Sequence, residues 1–177
     1  MEHPGNENTY NGPVGVLGFA DSVNDILGNE PTVAPAEGEK FVTFHLNDKV
    51  FAVPAGDIVE VILPLPVTSL PGSPAWFLGL ANFRGELLGI ISLKAMWNNE
   101  GPASSDKAKL IVLRAQDAST QFALKVDKLS EIVTIPSSEI QPASTETLQH
   151  ISGIAPRGSG TLHLIDSTRL LKSLAFD

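Results

Sequence analysis

Cysteine is absent from this chain. Disulfides, thiolate metal sites and cysteine nucleophiles are therefore excluded together, and the absence suits a reducing compartment. Cations are scarce: 12 Lys and Arg stand against 20 Asp and Glu, a formal net charge of -8, and the cations form no run. A nucleic-acid binder needs clustered positive charge to neutralise phosphates, so no nucleic-acid partner is expected. An anionic membrane surface is disfavoured on the same ground. No apolar run approaches the roughly 20 residues of a membrane span. The opening stretch from Met1 to Glu7 has neither a basic region nor an apolar core. Neither direct membrane insertion nor a secretory leader is expected, and the chain reads as cytoplasmic.

Catalytic constellations are equally thin. The histidines are His3, His45, His150 and His163, none paired at ligand spacing, so no metal is expected. No Gly-x-Ser-x-Gly elbow occurs, and Gly158-Ser159-Gly160 reads as a loop. The Gly-rich lysine loop that cradles phosphates is missing too, and no cofactor is expected. Asp166-Ser167-Thr168 sets a carboxylate beside hydroxyls but lacks the glycine and the second copy that aspartic chemistry requires. A β-barrel hydrolase using Asp166 and His163 is the distant enzymatic alternative. Three positions apart on one strand, those side chains would face opposite sides. No catalytic residue is assigned.

What the chain does have is a repeat. Phe51-Ala-Val-Pro-Ala-Gly-Asp-Ile-Val-Glu60-Val-Ile reads against Phe122-Ala-Leu-Lys-Val-Asp-Lys-Leu-Ser-Glu131-Ile-Val without a gap. Farther on, Gly79-Leu-Ala-Asn-Phe-Arg84-Gly85 reads against Gly153-Ile-Ala-Pro-Arg157-Gly158. Apolar segments follow both, Leu88 to Ser92 and Leu162 to Asp166. Independent elements rarely agree in both order and spacing, so the chain holds two homologous halves, each a small β unit.

Residues 1–38 are rich in Gly, Pro, Asn and Glu and are expected to form a flexible N-terminal arm. Within the arm, Val16, Phe19, Ala20, Val23, Ile26 and Leu27 fall near helical spacing. From Phe41 the period becomes two, with a turn at Asn47-Asp48 and a returning strand that Pro54 closes. Another strand is expected over Ile58 to Leu63, and a hairpin around Arg84-Gly85. A polar linker then runs from Asn98 to Lys107. The second half repeats the plan, with strands at Leu110 to Leu113, Phe122 to Val126 and Glu131 to Ile135 and a hairpin around Arg157-Gly158. Leu170, Leu171 and Leu174 predict a short closing helix. Many short strands between turns indicate barrels or a sandwich, not alternating strand and helix units.

The turn Asn82-Phe83-Arg84-Gly85 sets one cation beside an aromatic, a composition common at interaction hot spots. Glu60 and Glu131 occupy matching sites, which points to a repeated structural contact. Together with Phe44-x-Leu46, Phe51-Ala-Val-Pro54, Ile58-Val-Glu60-Val, Leu70-Pro71-Gly-Ser-Pro74, Phe77-Leu-Gly79 and Val126-Asp127, this pattern resembles CheW-like adaptor proteins. The resemblance covers about residues 39 to 175, and Gly-x-x-Asn-x-Arg-Gly is its most specific part.

The resemblance implies an all-β fold of two pseudo-repeated five-stranded SH3-like barrels packed side by side. The first barrel would span about 41–97 and the second about 108–166, with a closing segment at 167–177. It implies a non-catalytic adaptor between the helical tip of chemoreceptors and the regulatory domain of a CheA-type histidine kinase. Such an adaptor would be recruited from the cytoplasm to membrane-associated receptor arrays. Its implied partner-binding residues are Ile58, Glu60, Gly79, Leu80, Asn82, Arg84 and Gly85. This chain departs from the family where Gly89, Ser92 and Lys94 replace the usual Pro, Asp and Arg. Those changes and the arm keep an alternative open, the same scaffold in a pilus-motility or other non-flagellar pathway.

Overall fold

The period-two segments become strands, and their pairing partners are the main finding of the fold. The computed structural model describes residues 37–98, 106–114, 121–143 and 150–174. The expected arm, apart from Glu37 and Gly38, and most of the expected linker lie outside the described residues. In the first half, β1 (Glu39–Leu46) and β2 (Lys49–Pro54) form the expected hairpin. Next come β3 (Ile58–Ile62), β4 (Phe77–Phe83), β5 (Glu86–Ile91) and the helix α1 (Leu93–Asn98). In the second half lie β6 (Lys109–Leu113), β7 (Gln121–Val126), β8 (Lys128–Ile135), the short β9 (Gln141–Pro142), β10 (Ile151–Arg157) and β11 (Gly160–Ile165). The helix α2 (Ser167–Ser173) follows, as the leucine spacing predicts.

These strands make two sheets, in the orders β8-β1-β2-β11-β10-β9 and β3-β6-β7-β5-β4. The all-β expectation of two units with five long strands each holds. The expected boundaries do not. Barrels over 41–97 and 108–166 would each close within one half, yet each sheet takes a hairpin from the other half. β1 pairs with β8 and β2 runs parallel to β11, while β3 pairs with β6 and β5 runs parallel to β7. Alternation identifies strands but carries no information about distant partners, and only hairpins announce themselves locally.

Alternation along these strands divides the apolar side chains into three clusters. Phe41, Ala52, Val133, Ala155, Leu162 and Leu164 fill the first sheet's unit, and Ala81, Leu88, Ile90, Leu110, Val112 and Ala123 fill the second. Their strand neighbours, among them Phe44, Phe51, Val53, Ile111, Leu113, Leu124 and Val126, point the other way and form the seam between the sheets. Successive strand residues face opposite sides, so one strand serves two cores. The helices α1 and α2 add Leu93 and Leu170 to the seam, and Leu174, just past the end of α2, joins them.

The repeat extends to irregularities of register. The β3–β6 and β1–β8 pairs shift register at corresponding places, as do the β4–β5 and β10–β11 pairs, where Leu78 and Ser152 are skipped. In this frame Gly79 corresponds to Gly153, because Gly79 faces Ile90 and Gly153 faces Leu164. The Arg-Gly equivalence read from sequence therefore needs correcting. Arg84 lies inside its two-residue loop, after the last pair Phe83–Glu86, whereas Arg157 is itself in the last pair, with Gly160. Structurally Arg157 matches Phe83, and Arg84 matches Gly158.

Two departures from the family pattern have local explanations. The Ser92 hydroxyl accepts the Ala95 N–H (3.2 Å) at the start of α1, just as the Asp166 carboxylate accepts the Arg169 N–H (2.9 Å) at the start of α2. Ser and Asp are both strong residues at a helix N-terminus, so the exchange keeps that function. Lys94 reaches Asp127 Oδ2 (3.5 Å), which also accepts the Asn47 N–H (2.8 Å). Asp127 thereby joins α1 to the β1–β2 turn.

Candidate partner-binding site

The Arg84-Gly85 loop has both residues at positive φ, 55° and 87°. This is the mirror-image two-residue turn whose twist matches a hairpin, and glycine at its second position carries no steric penalty. Asn82 secures the turn from the side, its Oδ1 accepting the Gly85 N–H at 3.0 Å. Arg84 is thus held at the tip of β4–β5 with a fixed backbone. Its Cζ sits 4.9 Å from the Phe83 ring centroid, a cation–π contact.

From that tip Arg84 Nη2 donates to Glu60 Oε1 at 3.0 Å and lies 2.8 Å from Oε2 in an ion pair. Glu60 belongs to β3 and Arg84 to the β4–β5 turn, opposite ends of the strand order, so their contact draws the sheet round on itself. The second half repeats the device more loosely, with Arg157 and Glu131 3.7 Å apart. The expected repeated contact is therefore present in both halves. Arg84 stays 70% exposed at its side chain while Glu60 is 22% exposed. An ion pair so open to water adds no more than about 1 kcal/mol. Its larger effect is to aim a guanidinium outward.

The structure brings Glu60, Asn82, Arg84 and Gly85 together at the β4–β5 turn, with Leu80 three pairs back along β4. Leu80 is fixed by two backbone bonds with Thr68, at 2.8 and 2.9 Å. Two of the expected contact residues have other roles. Ile58 is buried, 4% exposed, in the seam, because the register shift at Val59 turns Glu60 and Val59 outward and leaves Ile58 inside. Gly79 is buried beneath the Leu63–Thr68 connection. Both residues support the surface from below and neither forms it.

Sequence reasoning missed Leu87 and Val59. Leu87 lies opposite Asn82 across the hairpin and is 65% exposed, and Val59 beside Glu60 is also exposed. The adjacent Leu87-Leu88 pair carried a signal, since on a strand one of two neighbours must face outward. An outward cation stacked on Phe83, with exposed Leu87 and Val59 on the strands that carry the ion pair, suits a partner presenting an acidic or carbonyl acceptor beside apolar residues.

The hydrolase alternative loses its two residues to structural roles. β11 ends at Ile165, so Asp166 starts a helix and is not on a strand with His163. Its carboxylate accepts the Arg169 N–H and pairs with the Arg169 guanidinium at 3.2 Å. The His163 ring packs on Phe51, with centroids 5.3 Å apart.

His150 has a structural partner as well. Its Nδ1 accepts the Trp97 Nε1–H at 3.2 Å, tying α1 to the start of β10. Burial lowers the His150 pKa and outweighs the opposing pull of Asp166. Burial, with Lys49 second, lowers that of His163. A depressed folded pKa means that the unfolded chain binds more protons near pH 6. The stability contributed by the neutral rings is full above about pH 6.5 and is lost as pH falls below it. Melting curves at pH 7.5 and 5.5 should show a smaller acid loss for His150→Gln, which keeps an acceptor, than for the unmodified protein. Equal losses would contradict this account.

Comparison with known proteins agrees with this architecture. The family model for the CheW-like domain matches residues 40–175. The chemotaxis protein CheW of Helicobacter pylori is 29% identical over 109 residues, 62% of this chain and 64% of that protein. Protein PilI of Pseudomonas aeruginosa is 28% identical over 121 residues, 66% of each. This chain spans just under two thirds of the length of the first relatives it matches. The crystal structure of the scaffolding protein TtCheW from Thermoanaerobacter tengcongensis superposes with a TM-score of 0.67 at 23% identity, covering 77% of this chain and 89% of that one. No helix among the described residues is long and apolar enough to cross a membrane. With the family model spanning the described body almost from end to end, this chain belongs to the CheW-like family.

Proposed function

We propose that this protein is a non-catalytic adaptor that couples chemoreceptors to a CheA-type histidine kinase in chemotaxis signalling. The observation that carries this reading is the family match over residues 40–175. The receptor's helical tip docks against the β4–β5 turn of the second sheet, where Arg84, Asn82 and Leu87 are exposed, Leu80 is half-buried and Glu60 anchors the guanidinium. The kinase's regulatory domain is the second partner. Acting beneath membrane-bound receptors, the adaptor needs no cofactor and no membrane segment of its own.

A second reading places the same scaffold in a pilus-motility or other non-flagellar chemosensory pathway. The presence of relatives named PilI and FrzA, beside several named CheW, favours keeping it. Co-purification tests both. The purified protein, mixed with a receptor cytoplasmic fragment and a kinase regulatory domain, should retain both in one complex. Retention of neither partner, from any pathway of the host, would refute the adaptor reading. The class of receptor retained decides between pathways.

A further inference from the structure

Among the described strands, pairings within a half are all between sequence neighbours: β1–β2, β4–β5, β6–β7, β9–β10 and β10–β11. Every other strand pairing crosses from one half to the other. The exchange is reciprocal. The first half lends β1–β2 to β8 and β11, and the second lends β6–β7 to β3 and β5. The registers correspond as well: Phe51 faces His163 just as Phe122 faces Gly89, and Phe44 faces Leu129 just as Leu113 faces Ile58.

Side chains cross the same boundary. Thr43 Oγ1 donates to the Glu131 carbonyl (2.7 Å) and accepts its N–H (3.0 Å). Lys94 meets Asp127, Trp97 donates to His150, and Gln121 donates to Glu86 at 3.2 Å. The seam draws Phe44, Phe51 and Ile58 from the first half and Ile111, Leu124 and Ile165 from the second. Neither half holds a complete sheet, so the interface between halves resembles that of an obligate dimer, bridged by one connection after Asn98.

Nothing in these contacts requires both halves to come from one molecule. We propose that the edges of each half are an interaction surface for a second copy of this chain, the first half of one molecule being completed by the second half of another. A short covalent link holds its own partner at an effective concentration of about millimolar, so dilute molecules close on themselves. Exchange of a shared element between identical chains is a low-cost route to dimers and is favoured by refolding at high concentration.

Two experiments on the full chain test this. In the first, a protease site is inserted within residues 99–105 and the folded protein is cleaved. The two pieces should co-elute and melt in a single transition whose midpoint falls on dilution. Separation of the pieces, or a cooperative melt from one purified piece, would overturn the proposal. In the second, one full-length variant carries Leu88→Asp with Ile90→Asp and the other Leu162→Asp with Leu164→Asp, all at fully buried positions. Refolded separately from denaturant, neither should recover near-ultraviolet dichroism. Refolded together, they should recover up to about half of the wild-type signal, in a species of two chains, because one intact half from each can combine. No recovery from the mixture, or folding of either variant alone, would overturn the proposal.

Discussion

Replacing Gly79 with Ala should cost this protein about 3–5 kcal/mol and lower its melting midpoint by on the order of 10 °C. Gly79 sits at φ 133°, a conformation that side-chain-bearing residues rarely adopt. A Cβ there would collide with the Thr68 carbonyl oxygen and lie 2.7 Å from its carbon and 2.9 Å from Ser69 Cα. The obstacle is backbone, so no rotamer change relieves it. Either the strand abandons its conformation or the Leu63–Thr68 connection lifts away and forfeits both Thr68–Leu80 bonds. Strain accounts for roughly 1–3 kcal/mol and each lost bond for roughly another 1 kcal/mol, against a total stability of about 5–15 kcal/mol. Gly56→Ala is the control, since Gly56 has open space around it and no positive φ. It should melt within a degree or two of the unmodified protein. A Gly79→Ala protein that melts like the Gly56→Ala control would show that the connection yields freely.

Arg84→Glu should weaken receptor binding by on the order of 2 kcal/mol or more, about thirtyfold, while the fold survives. The substitution sets a carboxylate at the tip of β4–β5 opposite Glu60, which now bonds the guanidinium at 2.8 Å. Attraction within the sheet becomes repulsion, and a partner that offered an acceptor to a cation meets an anion instead. Because Arg84 is 70% exposed, the stability cost stays near 1 kcal/mol, and a melting curve can confirm folding. Arg157→Glu is the matched control. That residue also faces a carboxylate, Glu131 at 3.7 Å, but it ends a strand and does not stand in the loop. Receptor pull-down should be much less affected by it. Equal receptor retention by the folded Arg84→Glu variant and the unmodified protein would end the assignment of this turn as the receptor site.

The sequence made the strands legible and their distant partners illegible. Phe122, Leu124 and Val126 alternate because each faces the seam, and that alternation is written locally. No local pattern records that β2 lies parallel to β11, since the bond between them joins segments separated by most of the chain. The site was legible in part. The matched Glu60 and Glu131 announced a contact that both halves make. Aligning Arg84 with Arg157 by identity misplaced the second arginine by one position, because the frame is set by Gly79, Gly153 and the skipped residues before them. Ile58 was named as a contact through the family resemblance alone, and the structure buries it. A strand that skips Val59 changes which neighbours face water, and nothing in Ile58-Val59-Glu60 declares the skip.

The crossing of strands between halves also fixes when the protein can fold as it is made. A ribosome delivers β1 and β2 first, but their partners β8 and β11 lie in the second half of the chain. Until the residues up to Ile165 have emerged, the first hairpin carries unpaired edges and an uncovered Phe51. The second sheet, built from the consecutive strands β3 to β7, has all its strands once Val126 has emerged, whereas the first must wait for Ile165. Contacts between distant segments slow folding, and exposed edges in the interval invite aggregation or chaperone binding. The first sheet should therefore close last, and a stalled nascent chain ending near Asn98, which lacks the partners of both sheets, should remain protease-sensitive.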